Sequence, residues 1–409
     1  MDFFELLQQL ALTSGFSGLS WQHVVMLLVS FLLMYLAIVK KFEPLLLLPI
    51  SFGMMLANIP MTGLMHNATA AAYEALAYAE ATGDSYLITS ALLALANVRW
   101  YDSGILYILY LGIRSVLFPA LIFLGVGAMT DFGPMLANPK CMLIGAAAQI
   151  GIFSAFAMAN LSGLFTPAQS AVIGIIGSAD GPTTIFLAGR LAPEIMGPVA
   201  VAAYSYMALV PLIQPPIMKA LTTEKERVVK MENLRTVSKT ERIIFPIAIA
   251  ALCLLITPAV APLIGMFMLG NLFRESGVVD RFNDTAQNAL INIVTMLLGI
   301  TVGATTNGEI FLQVQTIAIV ALGLTAFALS TVGGVLFGKL MYKVTGGKVN
   351  PLIGAAGVSA MPMSPRVVQM VGKQYNPNNF LLMHAMGPSI AAIIGSAIVA
   401  GFFIVLFGG

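Results

Sequence analysis

Asp180 is the residue of this sequence whose chemistry is hardest to explain by packing alone. It lies inside the apolar stretch 171–188, AVIGIIGSADGPTTIFLA, where a Gly-Pro pair and two threonines directly follow it. A carboxylate in such surroundings costs a few kcal/mol unless it is paired or hydrated, so it usually marks an ion or proton path. The helix break frees carbonyl oxygens and the threonines add hydroxyls, the hard ligands that cations such as Na⁺ prefer. The stretch therefore predicts a cation site at Asp180. A compatible alternative is that Asp180 caps a helix that begins at Pro182.

A second interrupted stretch, NPLIGAAGVSAMPM at 350–363, has the same Gly-rich character. Asn350, Gly354 and Ser359 could supply neutral oxygen ligands there. Small residues that let helices pack closely are the other interpretation. Paired interrupted segments in two halves of a chain are typical of a midplane binding site in inverted-repeat transporters.

Three further polar residues lie near these stretches. Arg366, just after the second one, could bind an anionic substrate group, or it could be an interfacial basic residue. Tyr204 and Tyr206 lie in the apolar run VAAYSYMALVPLIQPP. Either could present a phenol to the same cavity, although a tyrosine in a span more often packs or marks the interface.

The composition identifies the elements that must position these residues. Of 409 residues 58% are hydrophobic and only 9% are charged, against about 25% charged in soluble domains. The chain is therefore predicted to be an all-α polytopic protein of the lipid bilayer. With a net charge of +2 and no basic stripe with interleaved aromatics, a nucleic-acid interface is excluded. Candidate spans, as an upper bound, are 24–39, 45–59, 105–129, 142–164, 171–188, 195–218, 243–265, 289–305, 316–338, 351–362 and 380–406.

Charge in the loops predicts the topology. The stretch 219–242 has seven Lys and Arg against four Glu, which favours the cytoplasmic side. The stretch 60–102 has a balance of minus three, which suits the outside, and its helical composition is too polar to span. Two loops on the same side of a membrane are separated by an even number of crossings. Because five candidate spans lie between the basic loops at Lys41 and Lys219, one of the five does not make a single crossing. The stretch 171–188 is the best candidate for re-entry, and 105–129 is the competitor.

A weak internal duplication then predicts the organisation of the chain. Residues 1–102 form N-terminal spans and extramembrane helices, and 103–218 form a first repeat with the broken segment 171–188. A cytoplasmic linker, 219–242, leads to a second, inverted repeat, 243–409, with the broken segment 350–363. No nucleotide-binding motif is present, so energy must come from a gradient or from a partner.

Seven strings in the sequence resemble a known family. They are KKFEPLLLLPI, FLGVGAMTDFGP, GIIGSADGPTTIF, VAAYSYMALVPLIQPPIM, NLFRESGVVDR, NPLIGAAGVSAMPM and NFLLMHAMGP. The match runs from about residue 24 to the C-terminus. In these strings the chain is similar to the β subunit of the sodium-pumping, biotin-dependent decarboxylases, which act on oxaloacetate, methylmalonyl-CoA or glutaconyl-CoA.

The resemblance implies a function and an assembly. A β subunit of this family takes carboxybiotin from a partner, decarboxylates it with consumption of a proton, and exports sodium across the inner membrane. The implied partners are an α subunit that carries biotin and the carboxyltransferase, and a small membrane γ subunit. A homotrimer of β subunits with an elevator-like core and a scaffold is implied as well. Interrupted helices and repeats alone would equally suit a secondary sodium-coupled carboxylate transporter.

The resemblance also implies roles for single residues. Asp180, Tyr206 and Arg366 would be catalytic, with Arg366 and Tyr206 contacting carboxybiotin. The expected sodium ligands are Asp180, Asn350, Gly354, Ser359 and Ser389. Two positions depart from the family's pattern: Ser389 replaces a second Asn, and Ser178 replaces a Gly. Both departures could alter ion affinity or selectivity.

Overall fold

The computed structural model describes residues 12–41 and 43–408 and contains no strand among them. The all-α prediction is therefore confirmed for this part of the chain. The chain divides into two compact units, one of Met1–Ser115 with Met296–Leu312 and the other of Val116–Thr295 with Gln313–Gly409. The repeat boundaries predicted from the sequence stay predictions.

The first unit consists of short and medium helices. Their bounds are Trp21–Ile38, Pro44–Ala57, Ala68–Thr82, Ser85–Asn97, Ile105–Arg114 and Gly308–Phe311, together with the end of Ile291–Ala304. The predicted helical character of 60–102 is confirmed. Asn67 and Asp84 cap the two helices there, and Gly83 takes a left-handed φ of 69° between them. With 15 and 13 residues, these helices are about 20 Å long, shorter than the ~30 Å hydrocarbon core.

The second unit contains the remaining helices. The α-helices are Leu117–Met129, Gly133–Ala137, Met142–Ala148, Ile150–Leu161, Pro167–Ile175, Gly181–Leu191, Met196–Leu221, Glu224–Arg227, Lys239–Ile256, Met266–Ser276, Asp280–Thr285, the start of Ile291–Ala304, Val314–Val344, Met363–Tyr375 and Leu382–Phe407. Short 3₁₀ and π turns join several of them. Those that matter below are the 3₁₀ helices Ile176–Ser178 and Pro351–Gly357.

Among the described residues, five helices are long and apolar enough to cross a membrane, or up to seven if two bent helix pairs count as one span each. The five are Trp21–Ile38, Pro139–Leu161, Asp280–Ala304, Val314–Val344 and Leu382–Phe407. This count lies within the upper bound of eleven predicted from the sequence, and not every candidate segment is a span. In particular, 351–362 is not a span, because its 3₁₀ helix of seven residues extends only about 14 Å.

The long helix Val314–Val344 packs against this second 3₁₀ helix at a point of close backbone contact. A Cβ built on Gly354 would lie 2.2 Å from the carbonyl oxygen of Gly334, and one built on Gly334 would lie 2.1 Å from that of Gly354. Neither glycine can therefore accept a side chain without moving the backbone. Close packing through small residues, one of the two interpretations of the stretch 350–363, is therefore confirmed at Gly354.

Gly354→Ala should lower the thermal stability of the purified protein. Forcing a methyl group into a packed contact costs ~1–3 kcal/mol, and here the obstacle is a backbone carbonyl rather than a mobile side chain. Gly265→Ala is the matched control, because a Cβ there meets nothing within 4 Å. The denaturation midpoint in detergent should fall for Gly354→Ala only. Equal midpoints for both variants would show that the contact is not tight.

Candidate functional site

The first break lies where the sequence predicts it, at the Gly-Pro pair after Asp180. The helix Pro167–Ile175 continues as the 3₁₀ turn Ile176–Ser178, and Ala179 then adopts a left-handed φ of 55°. Asp180 is the N-cap of the next helix, Gly181–Leu191. Pro182 is favoured in this first turn, because proline lacks the N–H that helix starts leave unpaired.

The carboxylate of Asp180 is buried, with 6% of the residue exposed. Its Oδ1 accepts a hydrogen bond of 3.2 Å from the backbone N–H of Thr183, as a helix cap does. Its Oδ2 accepts one of 2.7 Å from the hydroxyl of Ser396. The positive end of the helix dipole also favours a negative charge at this position. The capping and ion-site interpretations of Asp180 are thus compatible in the structure.

Ser396 connects Asp180 to the second break. It lies on the helix Leu382–Phe407, and the hydroxyl of Ser359 lies 3.4 Å from its own hydroxyl. Ser396 Oγ also lies 3.0 Å from the carbonyl oxygen of Ile393. Its single proton can serve either that carbonyl or the closer carboxylate, so this contact can change with the charge of Asp180.

The two breaks also meet directly. The backbone N–H of Ser359 donates to the carbonyl oxygen of Ser178 at 2.8 Å. The hydroxyl of Ser389 donates to the carbonyl of Val358 at 3.1 Å. Of the predicted ligands, the structure therefore brings Asp180, Ser359 and Ser389 to one buried region.

The hydroxyl of Tyr204, near Asp180, has no hydrogen-bond partner among the described residues, whereas the hydroxyl of Thr183 lies beside the Asp180 carboxylate. Thr183 is fully buried and Tyr204 is 4% exposed. A Cβ built on Gly181 would lie 2.7 Å from Cζ of Tyr204, the ring atom that bears the hydroxyl. Buried polar groups are nearly always paired, so the hydroxyl of Tyr204 calls for a ligand such as a cation or a water.

The other predicted site residues have separate surroundings in the described structure. The hydroxyl of Tyr206 donates to the carbonyl of Val320, and its ring lies against Gly323. Residues two apart on a helix point in different directions, which is why Tyr204 and Tyr206 have different neighbours. Arg366 is exposed on the helix Met363–Tyr375.

Asn350 contacts the linker rather than Asp180. Its Oδ1 accepts from the N–H of Leu352, and its Nδ2 donates to the carbonyls of Arg227 at 3.0 Å and Val229 at 2.8 Å. The 3₁₀ helix Pro351–Gly357, about 14 Å long, separates it from Ser359. Asn350 stays a predicted ligand, at a position apart from Asp180.

Ser396 was not among the residues predicted from the sequence. The signal that could have identified it is its spacing: Ser396 follows the predicted ligand Ser389 by seven residues, two turns along one face of an otherwise apolar helix. The resulting site has one carboxylate surrounded by hydroxyl oxygens. Among the described residues no three His, Cys, Asp or Glu side chains are grouped closely enough to hold a metal ion. This donor set suits a hard monovalent cation better than a metal that prefers nitrogen or sulfur.

Comparisons with known proteins extend over nearly the whole chain. A sequence model of the family described as "Na+-transporting oxaloacetate decarboxylase beta subunit" matches residues 22–407. The methylmalonyl-CoA decarboxylase subunit beta of Propionigenium modestum is 56% identical over 396 residues, covering 97% of this chain and 98% of that protein. The oxaloacetate decarboxylase beta chain of Klebsiella pneumoniae is 54% identical over 422 residues, covering 96% of this chain and 98% of its own. The glutaconyl-CoA decarboxylase subunit beta of Acidaminococcus fermentans is 53% identical over 396 residues, covering 97% and 96%.

Proposed function

The chain belongs to the family of β subunits of Na⁺-transporting decarboxylases, and on this premise we propose that it decarboxylates carboxybiotin and couples this reaction to Na⁺ export. It is a multi-pass membrane protein, of the inner membrane in bacteria. As a β subunit it works within a complex of several subunits. The proposed partners are an α subunit with the biotin carrier and carboxyltransferase, a γ subunit, and two further β subunits in a trimer.

One observation carries the proposal: the buried carboxylate of Asp180 lies in a helix break, accepts a hydrogen bond from Ser396 and lies near the unpartnered hydroxyl of Tyr204. Charged groups at membrane depth are expensive and mark ion or proton paths. A bound Na⁺ would offset the negative charge, and the oxygens of Asp180, Thr183 and Tyr204 would be its ligands. A proton could replace the cation on the carboxylate when the ion leaves.

The chemical step consumes one proton. The bond between the ureido nitrogen of biotin and its carboxylate carbon breaks, CO₂ leaves, and the nitrogen takes a proton. We assign the carboxylate to Arg366, whose planar guanidinium can form two parallel hydrogen bonds with it, and the proton donation to Tyr206. Asp180 couples this step to the cation. Asn350, Gly354 and Ser389 would act along the cation path as two inverted repeats and an elevator-like core move past a scaffold.

The purified chain in liposomes, supplied with free carboxybiotin, tests the function. CO₂ release that Na⁺ accelerates supports the pump. Uptake of a carboxylate without decarboxylation would instead identify a secondary sodium-coupled transporter. CO₂ release independent of Na⁺ would reject the coupling.

A pair of tyrosine variants separates cation binding from chemistry. Tyr204→Phe removes the unpartnered hydroxyl and should raise the half-saturating Na⁺ concentration roughly fivefold, since a neutral hydrogen bond or ligand contact is worth ~1 kcal/mol. Tyr206→Phe should instead slow decarboxylation more than it weakens Na⁺ binding. Initial rates at graded Na⁺ concentrations measure both effects. If the two variants exchanged these effects, the assignment of the two phenols would be reversed.

A further inference from the structure

Arg227 is a buried cation that no carboxylate in the described part of the chain neutralises. It ends the short helix Glu224–Arg227 of the linker, and 8% of the residue is exposed. None of the ion pairs between described residues includes it, and its neighbour Glu226 lies instead 3.7 Å from Nζ of Lys339. Buried charges are costly unless other groups compensate them, so the groups around Arg227 must do so.

The guanidinium of Arg227 joins two helices that carry predicted site residues. Its Nη2 donates to the carbonyl oxygens of Lys219 and Thr222, at the end of the helix Met196–Leu221, where the helix dipole favours a cation. Its Nε donates to the hydroxyl of Thr222 at 2.9 Å. Its Nη1 donates at 2.8 Å to the hydroxyl of Tyr375, the last residue of the helix that follows the second break. The planar fork of donors therefore fixes the linker against both helices.

The linker held in this way binds the side chain of Asn350, which is fully buried at the start of the second break. Nδ2 of Asn350 donates to the carbonyls of Arg227 and Val229, and its Oδ1 accepts from the N–H of Leu352. The reverse orientation of the amide would put Oδ1 against two carbonyl oxygens, so these bonds determine where Oδ1 points. An amide oxygen has two lone pairs. Because Oδ1 accepts one hydrogen bond in the described structure, its second lone pair can bind a cation.

Two further asparagines hold the same part of the linker. Nδ2 of Asn379 donates to the carbonyl of Val229 at 2.9 Å, and Nδ2 of Asn376 donates to that of Val228 at 3.2 Å. The carbonyls of three consecutive linker residues are thus bound by side chains from the second half of the chain. Of these three residues, Arg227 is the one with a buried side chain, so it is the residue that can fix the position of all three.

We propose that Arg227 is a positioning residue of the cation path. It fixes the linker backbone, and the carbonyls of this backbone orient Oδ1 of Asn350 for a cation. The inference rests on the proposed function, in which Asn350 acts along the cation path. Arg227 touches neither the cation nor the reacting atoms. Its loss should therefore weaken Na⁺ binding through Asn350, while the chemical step stays available at high Na⁺.

Initial rates of the chain in liposomes, measured with free carboxybiotin at graded Na⁺ concentrations, test the proposal. Arg227→Gln should raise the half-saturating Na⁺ concentration about tenfold, the lower end of the effect of removing a group that orients a metal ligand. The rate at saturating Na⁺ should change much less. Lys225→Gln is the matched control, because Lys225 is exposed and lies in the same short helix. It should change neither quantity.

A double-mutant cycle determines whether Arg227 acts through Asn350. Asn350→Ala should also raise the half-saturating Na⁺ concentration. Adding Arg227→Gln to it should produce no further rise, because the effects of two residues that act through one contact are not additive. Tyr375→Phe removes the hydroxyl that bonds Arg227 but keeps the ring, so it should produce a smaller rise. This milder variant tests the proposal even if Arg227→Gln does not fold.

Three results of these titrations would overturn the proposal. A lower rate of Arg227→Gln at an unchanged half-saturating Na⁺ concentration would show a purely structural role. Fully additive effects of Arg227→Gln and Asn350→Ala would separate the two residues. An effect of Lys225→Gln equal to that of Arg227→Gln would indicate general electrostatics.

A binding measurement separates failure of this proposal from failure of the proposed function. The rise of the denaturation midpoint with Na⁺ concentration, measured in detergent, reports cation binding without turnover. If wild type binds Na⁺ more tightly than Arg227→Gln but releases no CO₂, the role of Arg227 in cation binding stands and the proposed function fails. If Na⁺ does not raise the midpoint of wild type, or raises it equally in both proteins, the positioning role is wrong.

Discussion

Asp180→Asn should abolish Na⁺-stimulated decarboxylation while the protein still folds and assembles. Asparagine is as good a helix N-cap as aspartate, so the hydrogen bond from Thr183 and the helix start are retained. The variant removes the negative charge at nearly constant volume. In the proposed site the carboxylate pairs with a bound Na⁺, and removing one member of a buried charged pair costs ~3–5 kcal/mol, which corresponds to a loss of roughly 100-fold or more.

Ser396→Ala is the graded companion to this variant. It keeps the charge but removes the 2.7 Å hydrogen bond to Asp180 Oδ2, so its effect should be roughly tenfold, as expected for a bond to a charged group worth ~1.5 kcal/mol. Decarboxylation rates at saturating Na⁺, together with gel filtration to verify assembly, measure both. Full coupled activity in Asp180→Asn would remove Asp180 from the mechanism.

Arg366→Lys should keep the positive charge but lose most of the turnover. A guanidinium can hold a carboxylate through two parallel hydrogen bonds, and an ammonium cannot reproduce this geometry. One lost hydrogen bond to a charged group is worth ~1.5–3 kcal/mol, so the rate should fall about 10-fold to 100-fold. The half-saturating Na⁺ concentration should be unchanged, because Arg366 has no described contact with Asp180.

Lys343→Arg is the control for exchanging a guanidinium and an ammonium group, since it makes the reverse substitution at an exposed basic residue of another helix, Val314–Val344. It should leave both quantities unaltered. If Arg366→Lys retains the wild-type rate and Na⁺ dependence, Arg366 is an interfacial anchor, the alternative left open by the sequence.

The sequence was sufficient to locate the first break and Asp180. A lone carboxylate in an apolar run is a strong signal because its burial is costly, and the Gly-Pro pair after it determines where the helix must restart. The structure has this restart at Gly181, with Asp180 as cap. The helical character of 60–102 was equally readable, because its Ala- and Leu-rich composition is a local signal of helix.

The sequence was not sufficient to determine which oxygens meet at the site. Ser396 in an apolar helix resembles any small packing residue, and only its contact with Asp180 across 216 positions distinguishes it. Asn350 stays a predicted ligand, and its separation from Ser359 is set by the 3₁₀ geometry of Pro351–Gly357. Such pairings depend on how distant segments pack, which local periodicity does not encode.

The most direct test of the central claim is ²²Na⁺ movement in sealed vesicles during decarboxylation. With the carboxybiotin side of the chain facing outward, wild type should accumulate ²²Na⁺ in the vesicle lumen in proportion to the CO₂ released. Asp180→Asn should accumulate none above a sample without substrate. CO₂ release by wild type without any ²²Na⁺ accumulation, in vesicles shown to be tight, would contradict the coupling of decarboxylation to sodium transport.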